Sequence, residues 1–200
     1  MGNYMGQNQN DIQMFALLSL FYLQYPDNIV MLRGCNDFQD YLDDSGLWSR
    51  IKMITPKDTS DEAEKTKETR DLRGSIYQSI INIFTHLPLL HIGSMNQGQI
   101  AVLSSHSGIP LNNERPNSHY TFTDSMGEFM KRSIRSDELD DVSWSILRGI
   151  PEPTLENYTE FGTVSEPPRF SQRAFVEFLL SNNCHYFVRS HDEIVEGVAF

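Results

Sequence analysis

Three short apolar runs in this chain are each followed by polar side chains that can bind a metal or a phosphate, and this arrangement limits the fold more than any other feature. The runs have the length of buried strands and cover residues 29–32, 100–103 and 186–188. Arg33, His106 and His191 come shortly after them. Helical patterns separate the runs. A layered α/β (α+β) domain is therefore predicted, with its site in loops at the carboxyl ends of strands.

The segments between the runs favour helices and turns. A helix with a broad buried face is predicted over residues 9–24, and further helices over 75–87 and 170–180. Prolines follow the first two. Weaker patterns predict a helix with a broken end at 41–56, a short helix at 126–135, and a strand or helix end at 142–147. Residues 89–92 and 100–103 are predicted to pair as a hairpin. Residues 57–73 form a charged insert, predicted to be a solvated helix or a mobile loop.

Composition limits the class of protein. With 200 residues and 39% hydrophobic content, the chain can bury one sizeable core, so a single domain over 1–200 is expected. A formal net charge of −11 argues against nucleic-acid and anionic-membrane partners, which bind through clustered Lys and Arg. Two cysteines are too few for a disulfide framework, and no targeting segment is evident. A cytoplasmic or nuclear location is expected.

Four short motifs occur in a fixed order along the chain. They are Gly2-Asn3-Tyr4-Met5-Gly6-Gln7-Asn8, Arg33-Gly34-Cys35-Asn36-Asp37, His106-Ser107-Gly108 and Arg189-Ser190-His191. In this order they resemble the phosphoprotein phosphatase family of Ser/Thr phosphatases, which belongs to the calcineurin-like metallophosphoesterases. The family's motifs read Gly-Asp-x-Val-Asp-Arg-Gly, Arg-Gly-Asn-His-Glu, His-Gly-Gly and Arg-Ala/Ser-His. The resemblance covers most of the chain outside the charged insert.

The resemblance implies a partial metallophosphoesterase-like β-sandwich flanked by helices, with a metal site at the sandwich edge. Relative to the family, the chain is expected to be degenerate and shortened at both ends. The family's metals turn a bridging water into a nucleophile that attacks a phosphomonoester. Phosphoserine or phosphothreonine in a protein is the substrate that the resemblance implies.

Most positions at which the family does chemistry carry different residues here. Asn3 stands where the family has the Asp that bridges both metals, and an amide brings no charge to neutralise them. Cys35 stands at the family's ligand Asn, and Asn36 at the His assigned as general acid. An amide does not titrate near neutral pH and cannot act as an acid. No intact catalytic residue is therefore expected.

Two positions match the family's histidine ligands, namely His106 and His191. Together with Asn3 and Cys35 they are candidate ligands for one divalent ion, which the resemblance implies to be zinc, iron or manganese. A Cys-His-His set with a water or Asn3 suits tetrahedral zinc. The alternative stays open that both histidines are structural and that the site holds no metal.

Arg33 and Arg189 are candidate phosphate-binding residues, because they keep the family's basic character beside the site. The alternative is that each pairs with a nearby acid such as Asp37 or Asp192. Both alternatives are open at the level of sequence.

The first functional hypothesis is a pseudophosphatase, which keeps the fold of a Ser/Thr protein phosphatase and acts by binding a phosphoprotein or a phosphatase-regulatory protein. The second is a residual metal-dependent phosphatase that hydrolyses phosphoserine or phosphothreonine. A third is a remnant that folds poorly. Metal content and turnover separate the first two.

Overall fold

The computed structural model describes residues 1–6, 8–55, 63–97, 100–111, 140–161 and 166–192, with side chains from residue 67 onward in the third of these ranges. The helices are α1 (Asp11–Gln24), α2 (Gln39–Asp44), α3 (Leu47–Ile54), α4 (Ala63–His86), α5 (Asp141–Arg148) and α6 (Gln172–Ser181). The strands are β1 (Leu90–Met95), β2 (Ile100–Ser105), β3 (Ile150–Pro151), β4 (Thr159–Glu160), β5 (Arg169–Phe170) and β6 (Tyr186–Val188).

Within the described residues, the strands form two small sheets of three strands each. In the first sheet, with order β1-β2-β6, β1 and β2 are an antiparallel hairpin in which Leu90 pairs with Ser105 and Met95 with Ile100. Strand β6 joins β2 in parallel. The second sheet has the order β3-β5-β4. Because β2 and β6 are parallel neighbours, their carboxyl ends lie side by side, and the loops that follow them meet.

Two apolar clusters form the core. One packs the first sheet against α5, α6 and the second sheet, and its fully buried members include Leu103, Ile109, Ile146, Leu147, Ala174 and Phe178. The other packs α1 against α2, α3 and α4, and its fully buried members include Leu42, Leu47, Ile51 and Phe84. The loop that carries Cys35 runs between them, because Met31 belongs to the helical cluster and Phe38 to the sheet cluster.

Several predicted elements are confirmed. The structure has the first helix at Asp11–Gln24, the hairpin of β1 and β2, and the strand Tyr186–Val188. The helix with a broken end predicted at 41–56 is two helices, α2 and α3. The segment 142–147, predicted as a strand or helix end, is helical and belongs to α5. From Ala63 onward, the charged insert is the first part of α4 rather than a separate element. Residues 57–62 and the helix predicted at 126–135 lie outside the described residues.

Two expectations were wrong. Residues 29–32 do not form a strand, although the chain there lies beside residue 88, where the Arg33 N–H donates to the Pro88 carbonyl at 2.9 Å. Proline has no N–H to return, so a ladder cannot continue through this point. Helix α1 also lacks the broad buried face expected of it, because Leu20 is 63% and Leu23 is 73% exposed while Ile12 is buried.

In the part of the chain that the structure describes, none of the helices combines the length and the apolar character that a membrane crossing requires.

Phe84 should be a main determinant of stability in the helical cluster. Its ring is 1% exposed and lies 4.8 Å from Phe15 and 6.2 Å from Tyr4, measured between ring centroids. Replacing Phe84 by Ala should lower the free energy of unfolding by about 3–5 kcal/mol, through lost burial and a cavity. Ile83→Ala is the matched control, since Ile83 is 41% exposed on the same helix, and should cost about 1 kcal/mol or less. Urea titration followed by circular dichroism measures both; equal losses would contradict the packing described.

Candidate metal site

Three loops bring Cys35, His106 and His191 together. His106 follows β2 directly, and His191 lies three residues beyond the end of β6. The Ser190 N–H donates to the His106 carbonyl at 3.0 Å and ties these two loops to each other. One potential ligand atom from each of the three side chains lies within 4.8 Å of the others. Three of the predicted site residues are therefore neighbours in space.

A buried carboxylate docks the Cys35 loop against the start of the chain. Asp37 is fully buried, and its two oxygens accept N–H bonds from Gly34 at 2.7 Å, Asn3 at 2.8 Å and Tyr4 at 3.1 Å. Burial raises the pKa of Asp37 to about 6, against the opposing effect of these N–H groups and of Arg33. This acid is committed to the backbone, and it holds Asn3 beside Cys35.

The two segments approach so closely that glycine is required where they touch. A Cβ on Gly34 would lie 2.2 Å from the Asn3 nitrogen, and a Cβ on Gly2 would lie 2.4 Å from the Gly34 backbone. Gly2 also has a φ of +86°, a region that favours glycine. The same close contact therefore explains why glycine stands at position 2 in the first motif and at position 34 in the second.

The amides of Asn3 and Asn36 line the thiol. The Asn3 Oδ1 accepts the Asn36 N–H at 2.9 Å, and Asn3 Nδ2 lies 3.7 Å from the Cys35 Sγ. The Cys35 Sγ lies 3.4 Å from Asn36 Oδ1 and 3.6 Å from His191 Nδ1. Burial raises the pKa of the Cys35 thiol. This effect outweighs the opposing charge of Arg148, so the thiol form is favoured; a bound metal would favour the thiolate.

His106 presents an unpartnered ring nitrogen. The side chain is 1% exposed, and Nδ1 lies 2.6 Å from the Met1 carbonyl oxygen, which can only accept, so Nδ1 carries the hydrogen. Nε2 is then an acceptor, and it is buried with no hydrogen-bond partner. Burial lowers the pKa of His106 to about 4, which keeps the ring neutral. A neutral imidazole with one nitrogen fixed by a carbonyl is the state that ligates metals.

His191 completes the group from a more open position. Its ring centroid lies 5.1 Å from that of His106 in an edge-on arrangement, and the residue is exposed. Its φ of 80° is unusual for a residue other than glycine and turns the ring back toward Cys35. Burial of the ring lowers the pKa of His191, and the charges of Arg148 and Arg189 lower it further.

The two arginines predicted to bind phosphate are already engaged. Arg33 is 1% exposed, its Nε donates to the Asp37 carbonyl at 3.1 Å, and its guanidinium lies 3.8 Å from the centroid of the Phe38 ring. Arg189 forms an ion pair with Asp192. The pairing of Arg189 with an acid is confirmed, and phosphate binding by either residue stays a prediction.

A third arginine near the site was not identified from the sequence. Arg148 is the last residue of α5, and its positive charge acts on both Cys35 and His191. Its guanidinium lies 4.9 Å from the centroid of the Trp144 ring, one helical turn earlier. No short motif marks it; the available signal was a basic residue in the last turn of a helix ahead of Gly149.

Comparison with solved structures identifies a protein serine/threonine phosphatase from Saccharomyces cerevisiae, described as similar to human phosphatase PP5. The TM-score is 0.68 at 17% sequence identity, and the match covers 96% of this chain and 50% of that chain. The chain thus spans about half the length of this phosphatase. No protein-family model matches the sequence, and neither does any curated protein. At 17% identity the likeness shows the fold alone: the predicted α/β class is confirmed, and the fold is similar to that of the matched half of this phosphatase.

Asp37→Asn should weaken both the fold and the site. One carboxylate oxygen becomes an NH2 group that must face an N–H donor, so at least one buried backbone group loses its partner. The free energy of unfolding should fall by about 2–4 kcal/mol. Asp40→Asn, at an exposed position of α2, is the matched control and should cost less than about 0.5 kcal/mol. Chemical denaturation gives both values, and indistinguishable midpoints would refute the docking role of Asp37.

Proposed function

We propose that this chain is a pseudophosphatase, a protein with the fold of a Ser/Thr phosphatase that binds a phosphorylated protein and has little or no phosphatase activity. The likeness to the yeast phosphatase supports the scaffold. The polar groups around Cys35 support the loss of catalysis, and the three potential ligands support a retained, altered metal site.

The observation that carries the proposal is the use made of the polar groups in the two motif loops. The side-chain oxygen of Asn3 accepts the Asn36 N–H, and the carboxylate of Asp37 accepts three backbone N–H groups. A carboxylate bridging two metals and an acid for the leaving alcohol are thus both replaced by neutral amides. Because groups that act as a unit do not compensate for one another, these changes together should abolish turnover.

The donors fit one borderline metal ion better than two hard ones. Cys35, His106 and His191 supply one sulfur and two nitrogens, a set that suits zinc or iron, whereas manganese and magnesium prefer oxygen ligands. The buried, unpartnered Nε2 of His106 is the group that a metal would satisfy. When bound, such a metal supplies a Lewis acid for a phosphoryl oxygen. Two neighbouring groups would orient the ligands: the Met1 carbonyl contacts His106 Nδ1, and the Asn3 amide contacts the Cys35 Sγ.

A residual phosphatase is the second candidate, and the convergence of three potential ligands is the observation that favours it. It differs from the pseudophosphatase in one measurable property, metal-dependent turnover. A phosphoprotein is the proposed partner in both cases. A phosphatase-regulatory protein is the second proposed class of partner.

The purified chain should not hydrolyse phosphomonoesters above background. Turnover of p-nitrophenyl phosphate and of a phosphothreonine peptide, each with added zinc, iron or manganese, should equal that of His106→Ala. The reason is that the bridging carboxylate and the acid are both replaced. An active Ser/Thr phosphatase assayed in parallel shows that the conditions permit catalysis. Metal-dependent turnover that His106→Ala removes would reject the pseudophosphatase in favour of the residual enzyme.

The purified chain should bind about one equivalent of zinc or cobalt and lose this binding in Cys35→Ser. A thiolate ligand gives cobalt a sulfur-to-metal charge-transfer absorption, which titration of the metal-free protein follows directly. Because the sulfur is the charged ligand, its loss should weaken zinc binding at least about tenfold. Cys184→Ser is the matched control, since Cys184 is also a buried free cysteine but lies outside the ligand group. Equal metal binding by both variants would exclude Cys35 as a ligand.

A further inference from the structure

We propose that Arg148 is the residue that holds the phosphate of a bound phosphoserine or phosphothreonine, above the metal site formed by Cys35, His106 and His191. The inference rests on the proposed binding function and names the cation that performs it. Neither of the arginines that the sequence suggested has this role in the proposal.

The position of Arg148 beside the site is fixed by backbone contacts. The N–H groups of Ser107 and Gly108 donate to the Ile146 carbonyl at 3.2 and 2.9 Å, and the Ser107 hydroxyl donates to the Gly149 carbonyl at 2.8 Å. A Cβ on Gly108 would lie 2.7 Å from the Gly149 Cα, so the two glycines allow direct backbone contact. The end of α5 is therefore locked to the loop that starts with His106.

Arg148 is the arginine at this site whose charge has no acidic partner among the described residues. Arg33 is buried and bonded to its own loop, and Arg189 is paired with Asp192. The Nε of Arg148 is buried without a hydrogen-bond partner. A desolvated guanidinium nitrogen without an acceptor is costly, and an anion that supplies oxygens removes that cost.

The side chain is also held in place in advance. Its guanidinium lies 4.9 Å from the centroid of the Trp144 ring, a cation–π contact within one turn of α5. A guanidinium fixed on a ring face loses little freedom when it binds, and its planar fork suits two oxygens of one phosphate.

The charge of the site selects an oxyanion rather than a cation or a neutral group. Arg148 contributes one positive charge, which acts on Cys35 and His191, and a divalent metal held by one thiolate and two neutral rings would contribute one more. The neighbouring Asn3 and Asn36 are uncharged amides. A phosphate monoester dianion balances these charges, whereas a neutral serine or threonine does not.

A competing explanation is that Arg148 only balances the metal-bound Cys35 thiolate. The two explanations make opposite statements about metal affinity. If the thiolate is the partner of Arg148, removing the arginine weakens metal binding. If an exogenous phosphate is the partner, removing the arginine leaves metal binding equal or stronger, because a positive charge near the cation is lost.

The test uses Trp144 as its reporter. The chain contains two tryptophans, so Trp48→Phe leaves Trp144, which touches Arg148, as the source of tryptophan fluorescence. The zinc-loaded protein is titrated with inorganic phosphate, with a phosphothreonine peptide and with the same peptide unphosphorylated. Isothermal calorimetry of the unsubstituted chain provides an independent affinity. Zinc content is measured for every sample, and a urea midpoint for every variant shows that it is folded.

The expected result is binding of the phosphopeptide and phosphate but not of the unphosphorylated peptide. Arg148→Met should weaken phosphopeptide binding at least about tenfold with zinc content unchanged, since a charge-assisted contact is lost. Arg148→Lys should restore part of the affinity. Arg173→Met is the matched control and should change the affinity less than about threefold, because Arg173 is exposed, pairs with Glu177 on α6 and is not among the site residues.

Other outcomes separate this inference from the proposed function. Phosphopeptide binding that Arg148→Met leaves unchanged overturns the inference, while the pseudophosphatase proposal stands. Loss of zinc in Arg148→Met, or no binding of phosphate by the zinc-loaded chain, also overturns it. Binding of phosphate but not of the phosphopeptide limits the site to a free anion and rejects the protein ligand. Metal-dependent turnover overturns the proposed function instead, and the dissociation constants still decide the role of Arg148.

Discussion

The carboxylate of Asp37 holds together the two chain segments from which the site is built. Its two oxygens accept N–H groups from residues 3, 4 and 34, and without it these three backbone donors would lose their acceptor. This network permits the contact of Gly2 with Gly34, which in turn places the Asn3 amide against the Cys35 thiol. The position of every other group at the site is set relative to this pair of loops.

A consequence of this arrangement is that the acid most conspicuous in the Arg33–Phe38 loop is not available for chemistry. Its oxygens accept backbone N–H groups, and burial raises its pKa above that of an exposed Asp. The site itself contains amides, a thiol and two imidazoles. Such a surface brings little negative charge of its own, so it can accommodate one cation with a thiolate but cannot neutralise two cations.

Much of this fold could be predicted from the sequence, and the physical reasons for the failures are specific. The hairpin of β1 and β2 and the strand Tyr186–Val188 follow from apolar runs bounded by polar residues, and they positioned His106 and His191 correctly. The strand predicted at 29–32 failed because a proline at the pairing position cannot continue a ladder. The prediction of a broad buried face on α1 was wrong because helical spacing of apolar residues does not show which of them will pack against another element.

At the site, the sequence identified the three potential metal ligands but not the contacts that each arginine makes. His106 and His191 follow the neighbouring parallel strands β2 and β6, so their proximity was predictable, whereas Cys35 was assigned to the site by the motif resemblance alone. Arg33 and Arg189 were chosen by motif, yet a neighbouring carbonyl and Asp192 engage them. Arg148 escaped notice because its place depends on a long-range contact, the packing of α5 on the Ser107 loop, which no local pattern encodes.

Binding and hydrolysis of a phosphomonoester place different demands on such a site. Holding the dianion requires only positive charge and donors that are fixed in place, which a stacked Arg148 and a metal ion can provide. Hydrolysis requires in addition a nucleophile held between metals and a proton for the leaving alcohol. The positions that the motif resemblance assigns to these roles carry the neutral amides of Asn3 and Asn36, and the Asn3 Oδ1 accepts the Asn36 backbone N–H. The same substitutions that remove those two functions leave the positive charge intact. This difference is the physical basis of the proposal that the protein recognises a phosphorylated ligand without hydrolysing it.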